Sequence, residues 1–335
     1  MQVGWKPKSN DPRVASVRFR CLAPLHALRA QGFPAEVFDA SRAAQYSLVV
    51  FSKLYDAENA ELARSLARQG IKTILDLSDN HFYNPYDLPD YKTAASQLRD
   101  MIDAVSDVTC CSAHLAKVVS REATVRRPPL VVGDAVEPID LGEGVGSAFS
   151  HPDGQPFRIL WFGSHGSPNA PAGMEDLLSV REHLDSAARH ARAELVVVSN
   201  NREKFETLRP KLNLETRYVD WDGAAFGREL ARANVVIIPI NSNPFTLCKS
   251  NNRLATALWY GVPVIADRIP AYDELAPFAF VDDWEAGMRH CIAASREAQL
   301  RTVAGSAYVR ARFNIREVAA QWRQVFLKVH NENLE

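Results

Sequence analysis

The sequence predicts an α/β protein built from two doubly wound, Rossmann-like domains. Three observations carry that prediction. Short apolar runs alternate with helix-length amphipathic stretches, the pattern of parallel βαβ units. The alternation breaks over 138–156, where Pro, Gly, Ser and Asp collect and neither periodicity survives; this segment reads as a linker. At 335 residues the chain also exceeds the usual reach of one hydrophobic core. Two such halves joined by a linker imply a cleft, with ligands at the carboxyl ends of the strands. The expected boundaries are 1–137 for the first domain, 138–156 for the linker, 157–310 for the second domain and 311–335 for a terminal helix.

In the first half, strands are expected at 2–5, 35–38, 47–52, 73–77, 107–111 and 130–132. Helices are expected at 18–31, 57–69, 91–105 and 112–122. Gly32 and Gly70 follow two of these helices, where a left-handed cap is wanted. In the second half, strands are expected at 158–162, 194–198, 216–219, 235–239, 262–266 and 278–281. Helices are expected at 172–190, 202–212, 223–232, 253–260, 284–295 and from 297 onward. In the last stretch Val318, Trp322, Val325, Phe326 and Val329 repeat at helical spacing.

Composition narrows the function classes. Hydrophobic residues at 47% and charged residues at 24% are the mixture of a folded soluble protein. The net charge of -1 gives no basic surplus for nucleic acid. No run approaches the roughly 18 apolar residues of a membrane span, so at most peripheral membrane contact is expected. The start, MQVGWKPKSNDPR, has no apolar core behind a basic segment, so no secretory signal is expected. Five scattered cysteines make neither a disulfide framework nor a zinc motif. The adjacent Cys110 and Cys111 fall in a strand-like run and point to opposite faces. A cytoplasmic location is the expectation.

The strongest binding signal is PINSNPFTLCKSNNRLATALWYGVPVIAD, 239–267. A strand ends in a polar loop, the loop feeds a helix, and the helix stops at Gly261 before the next strand. Asn241, Ser242, Asn243, Ser250, Asn251 and Asn252 line the loop, with Lys249 and Arg253. Backbone N–H groups at a helix start attract an anion, and nearby cations add charge-assisted hydrogen bonds. The same residues also suit ordinary helix caps and a solvated surface.

The pattern Lys249-x-x-Asn252-Arg253-x-x-Thr256-x-x-x-x-Gly261-x-Pro263-Val264 resembles the donor-binding motif of GT-B glycosyltransferases, in particular the retaining family 4 type of bacterial polysaccharide-biosynthesis hexosyltransferases. WFGSHGSPNA (161–170) is similar to the first strand and Gly-rich turn of that family's second domain. RANVVIIPINSN (232–243) and IPAYDEL (269–275) resemble its following strand and acidic turn. SVRFRCLAPLHALRAQGF (16–33), LDLSDNHF (75–82), VVGDAVE (131–137) and RFNIREVAAQWRQVF (312–326) resemble its opening helix, acidic strand end, pre-linker run and terminal helix. The resemblance spans nearly the whole chain. It implies an acceptor-side first domain, a donor-binding second domain across a cleft, and a C-terminal helix packing back on the first.

It implies a sugar moved from a nucleoside diphosphate sugar to a glycan, lipid-linked or small-molecule acceptor, with retention, no metal and no cofactor beyond the donor as co-substrate. Lys249 and Arg253 would stabilise the leaving diphosphate. Gly163, Ser164, His165, Gly166, Asn241, Asn251, Asn252, Thr256 and Glu274 would line the donor, with Asp273 in the same turn as Glu274. Arg18, Arg20, Lys53 and Asn80 would face the acceptor side, and His81 with Asp79 is a candidate acid/base pair. Plain readings stand beside these: a tight turn at Gly163 and Gly166, a strand-end turn at Asp76 and Asp79 to His81, surface charge at Arg18, Arg20 and Lys53. Asp220, Trp221 and Asp222 end a strand and could flank a base, or Trp221 could simply pack.

The sequence departs from the family at three donor contacts. Thr256 stands where the family's ribose-binding glutamate stands, Cys248 takes the place of the upstream glutamate, and Ser164 that of the usual arginine. A binding or scaffold protein that kept the fold without the chemistry is therefore a second reading. A sugar-nucleotide epimerase on the same fold is a third.

Overall fold

The computed structural model describes residues 1–142, 147–150, 154–163 and 172–331. The chain forms two compact units. The first comprises Met1–Glu137, Leu247–Ser250 and Phe313–Glu335; the second comprises Pro138–Thr246 and Asn251–Arg312.

The first unit holds β1 (Val3–Pro7), β2 (Ala35–Val37), β3 (Leu48–Ser52), β4 (Lys72–Leu77), β5 (Asp107–Cys110) and β6 (Leu130–Val131). All pair in parallel, in the order β2-β1-β3-β4-β5-β6. Every residue of β3 is buried, as expected for a parallel strand covered on both faces. Alternate residues feed opposite cores: Val49 and Phe51 join Leu75, Leu98 and Leu115, while Leu48 and Val50 join Trp5, Leu25 and Ile74. The crossovers carry α1 (Ala15–Val17), α2 (Ala23–Ala30), α3 (Ala57–Arg68), α4 (Pro89–Ala104) and α5 (Ala113–Glu122). The helix expected at 18–31 is interrupted. A π-helical turn, Arg18–Leu22, separates α1 from α2. Pro24 explains the change, because it has no N–H to donate to the carbonyl one turn back.

The second unit holds β7 (Phe157–Phe162), β8 (Ala193–Ser199), β9 (Glu215–Asp220), β10 (Val235–Ile238), β11 (Val264–Ala266) and β12 (Phe280–Val281), parallel in the order β12-β11-β10-β7-β8-β9. Around it run α6 (Arg181–His190), α7 (Arg202–Leu208), α8 (Gly223–Arg232), α9 (Asn252–Trp259), α10 (Trp284–Ile292) and α11 (Arg296–Arg312). Ile159, Trp161, Leu195, Val197, Ile237 and Ile265 make its core.

Two helices are shorter than their patterns suggest. Met174–Val180 is 3₁₀, and α6 begins only at Arg181. There the Ser179 hydroxyl donates to the Asp176 carbonyl at 2.7 Å, competing for an acceptor of the regular ladder. α7 stops at Leu208 because Pro210 cannot continue the ladder. α9 ends as the sequence indicates: Gly261 adopts φ 74°, and Val262 N donates to Ala257 O at 3.0 Å. The chain then re-enters the first unit as α12 (Ile315–Asn331), whose Val318, Trp322 and Phe326 join the Trp5 and Leu25 core. Thus the α/β class, the two Rossmann-like sheets and the return of the terminal helix are all present.

Candidate functional site

In the second unit the strand order reverses between β7 and β10: the chain steps outward from β7 to β8 and β9, and from β10 to β11 and β12 on the other side. Open α/β sheets bind ligands outside the strand ends at such a switch. Gly163 follows β7 directly. Its N–H bonds Val198 O at 3.1 Å, and its carbonyl accepts the Ser199 hydroxyl at 2.8 Å. A Cβ at Gly163 would stand 3.0 Å from the Trp161 ring and 3.7 Å from Arg253 Nη1. The bare backbone of Gly163 therefore lies beside the guanidinium of Arg253, in the first turn of α9.

Two buried groups lie within the electrostatic reach of Arg253. One is Tyr272, fully buried; burial pushes its phenol's pKa up, and the charge of Arg253 offsets part of the rise. Asp176 lies within the field of Arg253 as well. Burial raises its carboxyl above the ordinary value, against a 3.0 Å bond from Gly173 N and the charge of Arg253. Asp267 accepts from Ile240 N and from Trp284 Nε1, both at 2.7 Å, which locks the ends of β10 and β11. Asn241 is exposed, and its carbonyl accepts from the Thr246 hydroxyl at 2.8 Å and the Asn243 amide at 3.1 Å. Asn252 is half-buried at the start of α9.

Other expected donor residues are engaged in the fold. Asn251 is buried and donates to Glu274 at 3.0 Å. Glu274 also accepts from Tyr308 at 3.4 Å. Thr256 is only 5% exposed, on the inner side of α9. Ser164, His165 and Gly166 lie outside the described residues. Tyr272 and Asp176 were not singled out from sequence. Tyr272 was within reach, since it sits in the flagged IPAYDEL turn; nothing local marks Asp176.

Lys249 belongs to the first unit. Cys248 beside it is fully buried in the first-unit core and its carbonyl accepts the Ser112 hydroxyl at 2.8 Å. Ser250 on the other side donates to Asp134 at 2.6 Å. Held between them, Lys249 ion-pairs with Asp79 Oδ1, while Lys53 pairs with Asp79 Oδ2. Burial would raise the Asp79 carboxyl, but Lys249 and Lys53 outweigh it and hold the group well below the ordinary carboxylate range. Such a carboxylate is a poor proton acceptor. His81 Nε2 is 3.9 Å from Asp79 Oδ2, beyond hydrogen-bond reach. The acid/base pair expected there is thus an ion-pair centre with a histidine beside it. Asn80 is buried, and its Oδ1 caps Phe82 N at 3.1 Å.

Arg20 departs furthest from its expected place at a ligand. It is 1% exposed and forks onto Asp76 at 2.6 and 3.1 Å, with Asp134 at 3.0 Å and the Val132 carbonyl at 2.5 Å. Ser52 and Thr109 also donate to Asp76, at 3.2 and 2.8 Å. These bonds tie Arg20 to β4 and to the segment that follows β6. Arg18 is likewise engaged, with Glu137 at 2.7 Å and the Pro12 and Arg13 carbonyls at 2.9 and 3.0 Å. Among the described residues no group of three or more His, Cys, Asp or Glu side chains is placed to hold a metal ion. No described helix is long and apolar enough to cross a membrane.

No family model matches the chain, and no curated protein matches it by sequence. Solved structures do share its fold. HepE from Anabaena, crystallised in complex with UDP, superposes with a TM-score of 0.68 at 13% identity, covering 98% of this chain and 100% of its own. Sucrose-phosphate synthase from Thermosynechococcus elongatus gives 0.70 at 13% identity, covering 98% and 99%. WaaG, a glycosyltransferase involved in lipopolysaccharide biosynthesis, gives 0.66 at 12% identity, covering 96% and 99%.

Proposed function

We propose that the chain is a glycosyltransferase that moves a sugar from a nucleoside diphosphate sugar to a saccharide, lipid-linked or small-molecule acceptor. The observation that carries this reading is Arg253 beside the side-chain-free Gly163 at the strand switch point of the second unit. A phosphate there could approach the backbone closely and meet a bidentate cation at a helix start. As the diphosphate leaves, Arg253 and the α9 dipole would stabilise its growing charge, which fits transfer with retention and without metal. The fold shared with HepE bound to UDP supports a uridine nucleotide as the first to test. The fold shared with WaaG favours a role in polysaccharide biosynthesis. Unpaired, buried cysteines suit work in the cytoplasm.

One observation favours the second reading, a nucleotide-sugar-binding protein without turnover. Buried Thr256 offers no carboxylate to the ribose, and Lys249 pairs with Asp79 on the first unit.

The test is a melting-temperature screen with UDP and GDP, followed by donor turnover with a panel of sugar nucleotides. Nucleotide at 100 times its Kd should stabilise the protein by about 2.7 kcal/mol. Arg253→Ala should abolish that shift. A shift that survives in Arg253→Ala sinks the site assignment. Binding without turnover, across donors and acceptors, selects the second reading.

A further inference from the structure

We infer that the outer face of α11, with the cavity beside it, docks on an anionic lipid bilayer and takes one acyl chain into the cavity. The inference is independent of the transferase reading. Leu300 and Val303 are 58% and 68% exposed, the two most exposed large apolar side chains among the described residues. Helical spacing sets Arg296, Leu300, Val303, Ala307 and Arg310 on one face, and all five are exposed. Ala298, Thr302, Gly305 and Val309, on the other side, are buried. A single exposed apolar residue is ordinary; two of them one turn apart, with a cavity beside them, mark a contact surface. The cavity holds about 520 Å³ and is lined by Val303, Ala307 and Arg310 of α11 together with Phe149, Leu230 and Val262. Its Ala233 and Val262 precede β10 and β11, so it lies at the amino edge of the second sheet. Gly163 and Arg253 are at the carboxyl edge.

The chemistry of the wall selects the occupant, because its polar side chains are already engaged. Thr302 donates to Ala298 O at 2.8 Å and Ser306 to Trp259 O at 3.2 Å. The Tyr260 hydroxyl accepts from Ile139 N, and that of Ser147 from Phe149 N at 3.2 Å. A peptide in the cavity would leave backbone N–H and C=O groups without partners, whereas an acyl chain needs none. Charge selects the headgroup. Arg296 and Arg310 stand at the two ends of the apolar face, and the exposed Arg232 lies between Ala231 and Ala233 of the cavity wall. Glu297 is the one acid of α11; it pairs with Arg301 at 2.8 Å, and the outer face carries no carboxylate. Arg310 is held at the cavity by Trp259 O at 2.8 Å, with its guanidinium carbon 5.0 Å from the Trp259 ring centre. Apolar side chains that enter the acyl boundary, flanked by arginines that meet anionic headgroups, are the pattern of an interfacial helix.

The test is co-sedimentation of the full chain with vesicles of equal parts phosphatidylglycerol and phosphatidylcholine, and with vesicles of phosphatidylcholine alone. Binding to the first and little to the second is expected, weakening as salt is added. Leu300→Ser combined with Val303→Ser should weaken binding about tenfold or more. Arg310→Gln should weaken it about fivefold. If that variant fails to fold, Arg296→Gln decides. UDP affinity should be unchanged in each. Depth is read with a polarity-sensitive thiol dye on Val303→Cys, which labels selectively because the five native cysteines are buried. Its emission should shift to the blue on vesicles, whereas the same dye on Thr207→Cys, exposed on α7, should not shift. No binding to either vesicle, binding indifferent to the serine substitutions, or equal dye shifts at both positions overturns the surface. Equal binding to the two compositions overturns the anionic assignment. Self-association in solution that Val303→Asp abolishes would give the face to a second copy of the chain instead. Vesicle binding without nucleotide binding would remove the transferase reading and leave this inference standing.

Discussion

Arg20 and Asp79 show how similar charges serve different ends in one unit. Arg20 is enclosed by Asp76, Asp134 and backbone carbonyls, with the Trp322 ring 5.3 Å from its guanidinium carbon. Arg20→Met would leave Asp76 buried without its counter-ion, so a loss of about 3–5 kcal/mol is expected in urea unfolding. A loss under about 1 kcal/mol would show that the fork does not matter to the fold. Asp79 makes a pH prediction. Its folded-state carboxyl is held below its unfolded value, so its stabilisation is fully present above the ordinary carboxylate range near about pH 4. That stabilisation is shed as pH falls through the lower, folded value. The melting temperature of Asp79→Asn should therefore lie furthest below wild type at neutral pH and converge with it in acid. A gap that widens in acid would contradict the depressed carboxyl.

At the scale of elements, α12 completes a core begun at the other end of the chain. Trp322 meets Trp5 edge-on at a centroid distance of 4.8 Å and Phe326 at 5.6 Å. Both tryptophans are fully buried. Trp322→Ala should cost about 3–5 kcal/mol. Hydrogen exchange should place the loosening in β1, α2 and α12, whereas loosening confined to α12 would mean that the helix merely covers the sheet. The heptad-like run in the last stretch announced this helix, because apolar residues at helical spacing need a partner. The pattern said less about interruptions. The π turn at Arg18–Leu22 and the 3₁₀ run at Met174–Val180 follow from Pro24 and Ser179, single residues that periodicity averages away.

For the whole molecule, the candidate donor site sits on the second unit, at the carboxyl edge of its sheet. Hydrogen exchange with UDP should protect 160–163 and 238–258, apart from 247–250, in the second unit. Protection by UDP confined to the first unit would refute the donor site at Arg253. Far more of the fold than of the site was legible in the sequence. Each of the twelve described strands overlaps a run read from the sequence, and inner strands such as β3 and β8 are the plainest because burial on both faces of a parallel strand demands an apolar run.

What the sequence determined by itself is the architecture: two sheets, their strands and helices, the return of the last helix, and Arg253 at the start of α9. Those are matters of local periodicity and of turn residues such as Gly261, whose physics acts between near neighbours along the chain. Only the tertiary structure decided what the charges do. Arg20 looked like a surface cation until Asp76, Asp134 and Val132, 56 to 114 residues away, closed around it. Lys249 sat in a motif of the second half, yet Cys248 and Ser250 fasten it to the first unit, where Asp79 takes its charge. A charge interacts through space with whatever the fold brings near, and that neighbourhood is not written in the residues beside it.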